Sequence, residues 1–177
     1  QNGQIVEAGV SGYTGKFVPT AATNSGAGIL TAPAFKKNGI RDKRIGVHAV
    51  LYPQPFGLQA EWVWGSSPEL SADQTRIGSG NINGGYVMAM YKLDHISTWI
   101  PGSLIPYVKW QKFNGAEKFS TNSPFTKVRE VEAGLEWKIR PEIELTAAYA
   151  NMERTNVKTL QHINNANIMR FQLQWNY

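Results

Sequence analysis

Apolar and polar residues alternate without interruption over the last eleven positions, Asn167 to Tyr177. Met169, Phe171, Leu173, Trp175 and Tyr177 fall on one side, and Arg170, Gln172, Gln174 and Asn176 on the other. A period of two is that of a β-strand, whose successive side chains point to opposite faces. The same pattern predicts strands earlier in the chain. Arg44 to Tyr52 sets Ile45, Val47, Ala49 and Leu51 against Arg44, Gly46 and His48. Leu58 to Gly65 follows, with Leu58, Ala60, Trp62 and Trp64 on its apolar side. Gly84 to Leu93 and Leu104 to Gln111 come next, then Glu130 to Arg140, where Val131, Ala133, Leu135, Trp137 and Ile139 oppose Glu130, Glu132, Glu136, Lys138 and Arg140. Glu142 to Ala150 completes this group. The Gly-rich segment from Gln4 to Lys16 reads as a strand whose phase is ambiguous. With the terminal segment these make eight predicted strands and no segment with a helical period, so the chain is expected to be all-β.

The connections alternate in length. Pro53 to Gly57 and the Arg140-Pro141 corner are tight, and Asp94 to Ser103 is of medium length. Between them, Val18 to Lys43, Ser66 to Asn83, Asn114 to Arg129 and Asn151 to Asn167 read as long polar loops. Short turns at one end and long loops at the other are the asymmetry of a transmembrane antiparallel β-barrel in the bacterial outer membrane. In such a barrel the apolar face meets lipid and the polar face meets the lumen. Five of the six tryptophans, Trp62, Trp64, Trp110, Trp137 and Trp175, lie on the predicted lipid side, as the headgroup preference of amphipathic rings requires. The competing reading makes them core residues of a soluble sandwich.

Composition changes this picture little. Of 177 residues 42% are hydrophobic and mean hydropathy is -0.33, values that alternation masks in a barrel. No apolar run is long enough for a transmembrane helix, and the chain has no cysteine. It opens on Gln1-Asn2-Gly3-Gln4 without a secretory signal, so a removed leader or an internal piece of a longer chain is expected.

Charge is more informative by face than in total, which is +5. Arg44, Lys92, Lys109, Lys138, Arg140 and Arg170 are expected to line the pore, mixed with Glu7, Glu61, Glu130, Glu132, Glu136, Glu142 and Glu144. Lys138 or Arg140 is expected to pair with Glu142 or Glu144 across the last tight turn. The long loops carry the positive excess. Lys36, Lys37, Arg41 and Lys43 are expected to form a basic rim that draws in anions or faces lipopolysaccharide. Catalytic and metal chemistry are not indicated: His48, His95 and His162 are scattered without ligand spacing. No cofactor is expected. The basic loops lack the interleaved aromatics of a nucleic-acid surface.

The segments Gly84-Gly85-Tyr86-Val87-Met88-Ala89-Met90-Tyr91-Lys92-Leu93, Leu104 to Trp110, Val128 to Trp137, Pro141 to Tyr149 and Met169 to Trp175 resemble the phosphate-selective porin O/P family. The resemblance spans most of Gly84 to Tyr177 and extends more weakly to residue 4. It implies trimers of sixteen-stranded barrels in the outer membrane, of which residues 1–177 would be one barrel domain or its C-terminal half. Family members that bind phosphate carry lysines in the segment matching Asp94 to Ser103, where this chain has neither Lys nor Arg. The expected function is a porin for passive diffusion of small anionic or neutral solutes, with the lipid bilayer and lipopolysaccharide as surroundings and a homotrimer as assembly. The alternative is a closed eight-stranded barrel with a plugged lumen, acting as an anchor, and an outer-membrane enzyme with chemistry at the rim is a third reading.

Overall fold

The computed structural model describes residues 5–17, 39–71, 77–118, 123–156 and 163–176. These form nine strands: β1 (Val6–Phe17), β2 (Ile40–Leu51), β3 (Phe56–Leu70), β4 (Ile77–Tyr91), β5 (Leu93–Asp94), β6 (Ser103–Ala116), β7 (Phe125–Arg140), β8 (Ile143–Asn156) and β9 (Ile163–Trp175). Apart from the two-residue β5, which pairs with β6, the strands follow sequence order from β1 to β9 in one antiparallel meander. No helix occurs among the described residues.

Pairing fixes the phase that alternation left open in β1. Val6 lies opposite Leu51, Val10 opposite Val47 and Lys16 opposite Arg41. Directly opposed residues share a face, so the even positions of β1 join the apolar side and Glu7, Gly9 and Tyr13 join the polar side.

Burial on the two faces is inverted relative to a soluble sheet. Val131 is 52% and Phe171 75% exposed, whereas Glu132 is 2% and Asp42 4% exposed. A water-soluble protein hides the apolar side; here the large aliphatic and aromatic residues point outward, and Asp42, Glu130 and Glu132 are covered.

The outward apolar band begins, on its loop side, at Ile45, Trp64, Val87, Trp110, Val131, Tyr149 and Met169 in successive long strands. Ile45 pairs with Trp64, but Trp64 pairs with Asn83, four positions from Val87. Val131 likewise pairs with Asn151, two positions from Tyr149. Between β2 and β9 the band thus slips by about six residues against the hydrogen-bonded rows. With ~3.4 Å per residue and ~4.8 Å between strands, the strands lean roughly 35° from the normal to the band. Transmembrane barrel strands lean by a similar amount.

Two sequence expectations need correction. Strand extends into the connections expected as long loops: β2 starts at Ile40, β3 runs to Leu70, β4 starts at Ile77, and β7 starts at Phe125. Beyond the apolar band the outward positions turn mostly polar, so alternation fades while the ladder of backbone hydrogen bonds continues. Leu70 and Ile77, paired across β3 and β4, are buried there, as are Ile82 and Ala116. The eight expected strands are nine, because the short β5 was not foreseen, and the closed eight-stranded alternative is not observed. Among the described residues β1 and β9 do not pair with each other, and each leaves one edge of the sheet open.

Candidate functional site

The polar face carries three clusters, set at different heights along the strands. The six expected pore residues divide among them.

At the turn end, Lys92, Lys138 and Arg140 line a cavity of about 580 Å³ together with Tyr52, Ser103 and Glu144. Several short connections converge here. Gly102 has φ +80°, and a Cβ on it would lie 1.8 Å from the Lys138 carbonyl oxygen, so only glycine lets the β5–β6 hairpin close against β7. Lys92 lies just past β4, 3.1 Å from Asp94. The Ser103 hydroxyl donates to Asp94 at 2.5 Å. That bond, with the neighbouring Lys92 ammonium, holds the Asp94 carboxyl below its ordinary pKa. Lys138 sits 3.1 Å from Glu136 and 3.9 Å from Glu144, so the expected cross-strand pairing occurs with Glu144. Arg140 departs from the sequence reading. A bulge between Lys138 and Arg140 slips the register and sets Arg140 opposite Ile143, which removes it from the regular wall and from Glu142. Among the described residues Arg140 makes no ion pair.

At mid-height, Lys109 and Arg170 meet the same acid. Lys109 lies 3.1 Å from Glu132 and 3.7 Å from Glu130, while Arg170 reaches Glu132 from two strands away at 3.2 Å. The Tyr107 hydroxyl donates to Glu132 at 3.0 Å. Gly134 makes this possible: a Cβ there would stand 2.4 Å from the Tyr107 ring, so the ring lies flat across β7. Alternation placed these charges on one face but gave no sign that Gly134 is the floor beneath Tyr107.

At the loop end, Arg44 lies 3.7 Å from Asp42. Lys118, beyond the end of β6, reaches over to β1 and β2. It donates to Asp42 at 2.6 Å and to the Tyr13 hydroxyl at 3.0 Å. Burial pulls the Lys118 pKa down, but these two hydrogen bonds and the Asp42 charge outweigh it and leave the pKa raised. The segment carrying Lys118 is held at its other end, where the Leu70 amide donates to the Ser123 carbonyl at 3.0 Å. Arg154 of β8 pairs with Glu117. Through Lys118, Ser123 and Glu117 these contacts reach β1, β2, β3 and β8. Sequence reasoning had assigned Asp42 and Lys118 to loops and missed the cluster.

Of the four residues expected to form a basic rim, two are described by the structure. Lys36 and Lys37 lie outside the described residues. Arg41 and Lys43 belong to β2, not to a loop, and their register with Lys16 and Thr14 puts them on the outer, apolar side. They cannot line the pore mouth. Among the described residues no group of three His, Asp or Glu side chains is placed to hold a metal ion.

The matched charges lie on the covered face and the apolar residues on the open one, as in a wall with lipid outside and water within. The family model for phosphate-selective porin O and P matches residues 1–177, the whole chain. The chain belongs to this porin family. No curated protein and no solved structure matches it. Membership of an outer-membrane porin family implies a channel rather than an enzyme.

Proposed function

We propose that the chain forms part of the wall of an outer-membrane porin that passes small hydrophilic solutes by diffusion, with a weak preference for anions. The inverted burial carries this reading. A sheet with Phe171 and Val131 open and Glu132 covered suits an apolar solvent on one side and an aqueous lumen on the other. The open edges of β1 and β9 support its being one portion of a larger barrel, because unpaired strand edges are not tolerated in hydrocarbon. Trimeric assembly belongs to the same proposal and rests on the family alone.

Weak rather than strong selectivity follows from charge matching. Lys109, Lys138, Arg44 and Arg170 each have a carboxylate partner, so the wall presents little net field to a passing ion. Arg140, at the turn-end cavity, is the exception. We assign the anion preference to this basin of Lys92, Lys138 and Arg140.

Planar-bilayer recording of the full-length protein in a salt gradient tests the reading. Discrete conductance steps are expected, with the reversal potential moving toward cation preference in Lys138→Glu and further when Arg140→Glu is added. Absence of steps would refute the channel, and an unchanged reversal potential would remove the basin from the conduction path.

A further inference from the structure

The outer face carries a second, different set of charges. Lys16 and Arg41 are direct cross-strand partners on β1 and β2, and Lys43 follows two positions along the same face. Lys112 and Arg129 are direct partners on β6 and β7, and Lys127 stands two positions from Arg129. Like charges directly opposite each other destabilise a sheet, yet the arrangement occurs twice. None of the six forms an ion pair among the described residues. Arg129 even faces Glu153 across β8 without closing one, and Lys127 rests 5.9 Å from the Phe125 ring centroid.

The two triads also share a height. Lys43 is two positions toward the loops from Ile45, Lys112 two from Trp110, and Arg129 two from Val131. Each of those apolar residues begins the outward band in its strand. The triads therefore sit just outside the hydrocarbon, on the side that faces lipid. Below Lys43 lies a cavity of about 430 Å³ lined by Thr14, Trp64 and Asn81, which gives a headgroup a floor of indole and two polar partners.

We propose that Lys16–Arg41–Lys43 and Lys112–Arg129–Lys127 are docking sites for the phosphates of an outer-leaflet phosphoglycolipid of the lipopolysaccharide type. A phosphate monoester with about two negative charges bridges two facing cations that otherwise repel. Arginine and lysine at each site combine a planar fork with a mobile ammonium. The proposal rests on the membrane reading above and adds the lipid class and the residues that hold it.

The test uses the full-length protein in neutral detergent, with unfolding followed as purified lipopolysaccharide, its dephosphorylated form, or inorganic phosphate is added. Lipopolysaccharide is expected to raise the melting temperature, with the shift reduced when Lys16, Arg41 and Lys43 are changed to Gln and lost when Lys112, Lys127 and Arg129 are changed as well. Arg41→Glu and Lys112→Glu turn each like-charge pair into an opposite pair. They are expected to raise the melting temperature without lipid while diminishing the lipid-induced shift, a combination that general damage to folding does not produce. An equal shift with dephosphorylated lipid, an equal shift with inorganic phosphate, or an undiminished shift in the six-residue variant would each overturn the proposal. Conductance is recorded on the same preparations, so failure of the channel reading shows as lost steps with the lipid shift intact.

Discussion

The two faces of this sheet treat a positive charge in opposite ways. On the polar face Lys109 and Arg170 converge on Glu132, and Arg44 and Lys118 converge on Asp42. On the apolar face Lys16 looks at Arg41 and Lys112 at Arg129 with no acid between them. The difference follows from what lies beyond each surface. On the porin reading proposed above the polar face lines the lumen, and its cations carry their counter-ions as side chains. A surface at the lipid headgroups can leave its counter-ions to the membrane.

The comparison breaks most easily at the centre of the outward band. Val108 is 54% exposed, and on a soluble sheet Val108→Arg would be nearly silent. Facing hydrocarbon it should destabilise the protein by about 2–4 kcal/mol in denaturant unfolding from lipid vesicles. A change near zero would return the tryptophans to the soluble reading. The polar face is tested next by Glu132→Ala, which leaves Lys109 and Arg170 without their shared acceptor. A loss of roughly 1–3 kcal/mol is expected for an acid with this many partners, with the deficit deepening at low salt as the remaining cations repel. A stability loss with no salt dependence would mean that Glu132 acts through packing and not through charge.

The smallest effect concerns Lys118. Its pKa is raised, so its contribution is complete at neutral pH, begins to fall above the ordinary lysine value near ~10.5, and disappears as pH passes its own higher value. Raising the pH above the Lys118 value should therefore cost the wild type roughly a few tenths of a kcal/mol of stability in denaturant unfolding, a small loss typical of one surface ion pair. Asp42→Asn should remove most of that pH-dependent loss. An equal loss in both proteins would show that the pair does not carry it.

How legible the molecule was depended on which solvent each residue faces. Met169, Phe171, Leu173 and Trp175 alternate because one side of β9 is apolar and open, and that pattern announced the strand, its faces and the all-β class at once. Where β2 runs on through Arg41, Asp42 and Lys43, polar residues occupy both faces and the same strand geometry leaves no hydrophobic signature. The strand ends and the Tyr13–Asp42–Lys118 cluster were invisible for that reason. Arg140 was misplaced because a bulge breaks the period of two on which its assignment relied. Gly134 was unreadable because its role is set by Tyr107 on a neighbouring strand, and no spacing along the chain encodes that approach.

Several strands continue well past the apolar band, with β3 and β4 remaining paired out to Leu70 and Ile77. On the porin reading, that end of the sheet is a stiff parapet standing clear of the bilayer. A nutrient, toxin or antibody that reaches β3 and β4 there meets hydrogen-bonded ribbon, whose shape a change of side chain alters little.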